Sequence, residues 1–129
     1  MPIPFVKEGP VRKSTLLLVD DEPAIRGLIA MALRNHGYDV VEAADGEDAL
    51  AAARDLDHLD AVVSDVCMPN LNGFAMADEL RLIHPEVRFV FISGYPVDHG
   101  KVTPDARFLS KPFLPSMLFT AITDVSSAA

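Results

Sequence analysis

Three kinds of group that could do chemistry stand at the ends of short apolar runs. Two adjacent carboxylates, Asp20 and Asp21, follow Leu16–Val19 in the stretch LLLVDDEP. A third, Asp65, follows DAVVS at 60–64, a hydroxyl, Ser93, follows RFVFI, and an ammonium, Lys111, follows RFLS. Carboxylates gathered at one place repel one another, and a divalent cation removes that repulsion. Oxygen donors with no His or Cys at ligand spacing favour a hard cation such as Mg²⁺. The three carboxylates carry −3, and a dication with Lys111 carries +3. A carboxylate beside such a cation and a lysine can act as a nucleophile on phosphorus, with the positive groups screening the phosphoryl oxygens. Each residue taken alone has a plainer reading. The Asp pair can be a solvated turn with a helix cap, Lys111 a surface lysine, and Ser93 turn chemistry before Gly94.

The elements between these residues decide whether they meet. From residue 15 the pattern alternates short apolar runs with segments of helical periodicity. Asp21 is expected to cap a first helix, with Pro23 in its first turn and Ile25, Leu28, Ile29, Ala32 and Leu33 on one apolar face. Gly37 ends that helix, and YDVVEA at 38–43 reads as a second strand. Asp45 caps a second helix with Ala49, Leu50 and Ala53 inward. A third helix follows the turn VCMPNLNG, with Phe74, Ala77 and Leu80 inward, and a last one uses Leu114, Leu118, Ile122 and Val125. Such alternation implies a parallel sheet with right-handed crossovers and helices on both faces. In that architecture ligands bind beyond the carboxyl ends of the strands, so all five groups converge on one edge.

The pieces LLLVDDEP, VVSDVCMPNLNG, FISGYP and FLSKPF, in this order, resemble the receiver domain of two-component response regulators over about residues 15–125. The resemblance implies a flavodoxin-like, doubly wound α/β fold with five parallel strands in the order 2-1-3-4-5. It implies that Asp65 accepts a phosphoryl group from a histidine kinase or histidine phosphotransfer protein. It implies that Asp20, Asp21, Asp65 and the backbone carbonyl of Cys67 hold Mg²⁺, with Asp21 a more direct ligand than Asp20. Ser93 and Lys111 match the switch hydroxyl and the active-site lysine, Phe108 the switch aromatic, and Lys111-Pro112 a cis peptide bond. Tyr95, two past Ser93, is placed to gate the acceptor. The implied role is a phosphoacceptor that switches a protein-interaction surface, with slow autodephosphorylation rather than enzymatic turnover. The alternative is a degenerate receiver used as a non-phosphorylated binding scaffold.

Composition agrees with a small signalling module. A chain of 129 residues, half of them hydrophobic, suits one domain at 15–125 between a Pro-rich tail or linker at 1–14 and a short tail at 126–129. The balance of 11 basic against 19 acidic residues, net −8, argues against direct nucleic-acid binding. The single cysteine, Cys67, excludes an intrachain disulfide, and its side chain reads as a small hydrophobe. No apolar run approaches the roughly 18 residues of a membrane span, and the expected location is cytoplasmic. The four histidines show no ligand spacing. A haloacid-dehalogenase-like phosphatase would need a second Asp two residues past the nucleophile, where Cys67 stands, and DDEPAI cannot serve as a flavodoxin phosphate loop. One departure from the receiver pattern is the segment 94–107, which is shorter than receivers usually have and carries Pro96, Gly100 and Pro104. It predicts a truncated, irregular or absent fourth helix. A hybrid histidine kinase is the expected parent if the module belongs to a longer chain.

Overall fold

The central strand runs LLLV, AVV and FVFI are apolar and buried because the sheet is covered on both faces, whereas the two edge runs, DVVEA and ARFLS, also carry exposed polar residues. A computed structural model describes residues 13–68, 71–94 and 104–127. In chain order it holds β1 (Thr15–Val19), α1 (Pro23–Asn35), β2 (Asp39–Ala43), α2 (Gly46–Asp55), β3 (Ala61–Asp65), α3 (Gly73–Ile83), β4 (Arg88–Ser93), β5 (Ala106–Ser110) and α4 (Pro115–Ser127). The five strands form one parallel sheet in the order β2-β1-β3-β4-β5, as the resemblance implies. The expectation about a fourth helix falls on 95–103, outside the described residues, as does Tyr95.

Alternate strand residues feed two cores. Leu17, Val19, Val62, Phe89 and Phe91 pack with α2 and α3 through Ala49, Ala53, Met76, Ala77 and Leu80. Leu16, Leu18, Val63, Val90 and Ile92 pack on the other side with α1 and α4 through Ala30, Leu33, Leu118, Ile122 and Val125. The side chains buried on both faces remove a large apolar area from water, at about 25 cal/mol per Å².

Helix boundaries follow the local chemistry with two corrections. Asp45 and Asn72 cap α2 and α3, each accepting from a backbone amide three residues on, at 2.8 and 2.9 Å. Gly37 takes φ 102° just past the end of α1, a conformation that suits glycine. Asp21 is not the cap of α1. Glu22 holds that position without a side-chain hydrogen bond, and Pro23 supplies the first turn. The reason is that Asp20 turns its own carboxylate onto the Glu22 amide, at 2.8 Å, and so serves the turn before the helix. The second correction concerns burial. Ile25, Leu28 and Leu114, expected inside, are exposed, Ala30 is buried on α1 instead, and Met76 is buried on α3 alongside the expected Ala77 and Leu80. Leu28, Ile25 and Ile29 line a surface groove between α1 and α4 instead.

Candidate functional site

Strand register builds the site. Val19 pairs with Ser64, so Asp20 and Asp65 leave neighbouring strands side by side. Asp65 pairs with Ile92, and Ser93 pairs with Ser110, so Ser93 and Lys111 stand one step further across the sheet. The Lys111 amide donates to the Ser93 carbonyl at 2.9 Å, and the Lys111-Pro112 peptide is cis. The four predicted charged residues therefore reach one edge, as the parallel sheet requires.

Carboxylate oxygens of Asp20, Asp21 and Asp65 all lie within 4.8 Å of one another. Asp20 and Asp65 are buried, while Asp21 is exposed. Oxygen ligands at about 2.1 Å from an octahedral Mg²⁺ span at most about 4.2 Å across the ion. The 4.8 Å limit is slightly wider than that span, so a bound ion would draw the carboxylates together, and it is the all-oxygen chemistry of the cluster that fits one small hard cation. Lys111 Nζ reaches Asp65 Oδ1 at 3.0 Å. Burial pushes the Asp65 carboxyl above its ordinary value. The Lys111 hydrogen bond opposes that push without cancelling it, and the Asp20 charge adds to it. Burial works against the Lys111 ammonium too, but the hydrogen bond to Asp65 and the negative charges of Asp65, Asp20 and Glu22 outweigh it and raise its pKa.

Of the remaining predicted residues, Ser93 is buried at the end of β4. Cys67 sits exposed in the turn after β3. Phe108 is half-buried on β5, its ring 5.5 Å from that of Phe91 and 5.9 Å from that of Phe74. It joins the core on the α2 and α3 side.

Two supporting residues escaped the sequence reading. Ser64, fully buried, donates its hydroxyl to the Asp65 carbonyl at 2.8 Å. Gly73 opens α3 against the same carbonyl, and a Cβ there would lie 2.5 Å from the Asp65 oxygen. Only glycine lets the helix start that close to the backbone of Asp65. The signals were the serine directly before Asp65 and the glycine closing VCMPNLNG, but neither spacing says which carbonyl the residue serves.

Comparison with known proteins gives a consistent result. The family described as response regulator receiver domain matches residues 16–123. The chain is 42% identical over 117 residues to the sensor kinase CckA of Brucella abortus (strain 2308), covering 87% of this chain and 12% of that protein. It is 42% identical over 103 residues to the probable transcriptional regulatory protein TcrX of Mycobacterium tuberculosis (strain ATCC 25618 / H37Rv), covering 77% of this chain and 44% of that one. It therefore spans less than half the length of either relative. Among solved structures, the receiver domain of the hybrid histidine kinase CckA superposes with a TM-score of 0.77 at 34% identity, covering 88% of this chain and 100% of that one. The Vibrio cholerae chemotaxis protein CheY4 gives 0.80 at 29%, covering 88% and 99%.

Proposed function

Since the chain belongs to the response regulator receiver domain family, we propose that it takes a phosphoryl group onto Asp65 from a phosphohistidine donor, in a Mg²⁺-dependent reaction. The observation that carries this reading is the buried Asp65 carboxylate, held 3.0 Å from Lys111 beside two further carboxylates. Asp20, Asp21, Asp65 and the Cys67 carbonyl would hold the cation. When bound, Mg²⁺ supplies positive charge against the phosphoryl oxygens.

The chain's own residues do the rest. An Asp65 oxygen forms the new bond to phosphorus as the donor's N–P bond breaks, and the electron pair leaves with the imidazole nitrogen. Lys111 keeps a positive charge beside Asp65 and then faces the transferred group. Ser93 donates its hydroxyl to a phosphoryl oxygen. Phe108, packed on Phe91 and Phe74, shifts with it and changes the surface around β5. The role is acceptor and switch rather than turnover enzyme, apart from slow loss of the acyl phosphate to water. Donor and target are proteins, and the net charge of −8 speaks against nucleic acid. No described helix is long and apolar enough to cross a membrane, and the proposed site of action is the cytoplasm.

Mixing the chain with a histidine kinase carrying labelled phosphohistidine tests the donor class. Label should move from the kinase to this chain, only with Mg²⁺ present. Label that remains on every donor tried, or moves equally well in a chelator, contradicts the proposal.

A further inference from the structure

Arg26 touches the main chain of the acidic pair, and phosphoryl acceptance does not employ it. It lies in the first turn of α1, which carries no acidic residue there. Its Nη1 donates to the Asp20 carbonyl at 2.8 Å, and its Nε donates to Glu42 Oε1 at 3.2 Å. Glu42, on β2, also accepts from Arg34 Nη1 at 3.2 Å, and Arg34 Nη2 reaches the Val40 carbonyl at 2.8 Å. The β1 exit is thereby tied down on three sides. The Asp20 amide donates to the Ala43 carbonyl at 3.1 Å, the Asp20 carboxylate accepts from the Glu22 amide, and the Asp20 carbonyl accepts from Arg26.

A guanidinium here has two opposed effects on a cation. Its charge repels the cation. Its planar fork, braced by Glu42, fixes the peptide that joins Asp20 to Asp21 and so fixes how the two carboxylates face Asp65. A lysine keeps the charge but offers no fork that reaches both partners in this geometry.

We propose that Arg26 is a positioning residue for the acidic pair, its guanidinium bridging Glu42 and the Asp20 carbonyl so that the carboxylates are held ready for the cation. This rests on the reading that the site takes Mg²⁺. Calorimetric titration with MgCl₂ at constant ionic strength, on wild type, Arg26→Lys and Arg26→Gln, separates fork from charge. Positioning predicts that both variants bind Mg²⁺ about tenfold more weakly, within the usual cost of losing an outer-shell partner. The loss in Arg26→Gln would come despite removal of a repelling charge. Tighter binding in Arg26→Gln with Arg26→Lys unchanged would overturn the proposal, as would unchanged affinity in both. Melting curves in chelator check the fold. If Arg26→Gln does not fold, Arg26→Lys alone decides, since its charge is native. Wild type that binds no Mg²⁺ would remove the underlying reading, whereas wild type that binds with unaltered variants would remove only the role of Arg26.

Discussion

Asp65→Asn should accept no detectable phosphoryl group and should nonetheless melt at a higher temperature than wild type in metal-free buffer near neutral pH. The first half follows from chemistry, because a carboxamide oxygen is too weak a nucleophile toward phosphorus. The second follows from the electrostatics of the buried carboxylate. Its folded-state pKa lies above its ordinary value, through burial and the Asp20 charge, even with Lys111 at 3.0 Å. A group with a raised folded pKa contributes stability below its unfolded value and loses it as pH rises through the folded value. The advantage of the asparagine should therefore appear as pH rises through that range and vanish below about pH 4, where the acid is protonated in both states. Saturating Mg²⁺ should reverse the order. A ligand at 100 times its Kd stabilises by about 2.7 kcal/mol, and the variant has lost one of the three clustered carboxylates. Thermal melts over pH, with and without Mg²⁺, check each part. A variant that melts lower than wild type in chelator at neutral pH would mean that the Lys111 pair outweighs the burial of Asp65.

Lys111→Met should separate cation binding from phosphoryl transfer. Methionine keeps the length and apolar stem of the lysine and removes the charge. Asp65 then loses its partner at 3.0 Å and the clustered carboxylates lose a nearby positive charge, so Mg²⁺ should bind more tightly. Transfer should fall by about a hundredfold, the usual scale for removing one positioned donor from a developing oxyanion. Titration calorimetry and the rate of phosphoryl uptake, measured on the same preparation, check both directions. Uptake at the wild-type rate would exclude Lys111 from the transfer step, and weaker Mg²⁺ binding would show that it positions Asp65 more than it repels the cation.

Much of this was legible in the sequence because the strand ends carry the chemistry. Asp20, Asp65, Ser93 and Lys111 each follow an apolar run, and a parallel sheet must bring such ends together. Asp45 caps α2 with its own side chain and Gly37 takes a positive φ past α1, both local features that need no tertiary partner. The misses share a different cause. Asp21 and Glu22 compete for the start of α1, and the outcome turns on where the Asp20 carboxylate points. The helical period alone could not tell that Leu28 faces a groove rather than the core. Arg26, Ser64 and Gly73 each meet a main-chain carbonyl, and a sequence shows side chains but not the carbonyls they serve.

The most direct test of the central claim is the intact mass of the chain after incubation with acetyl phosphate, with Mg²⁺ and in chelator, for wild type and Asp65→Asn. The account predicts the mass gain of one phosphoryl group in wild type with Mg²⁺, mapping to the peptide that carries Asp65 and absent in the other three samples. A gain that persists in Asp65→Asn, or that forms equally well in chelator, would contradict it.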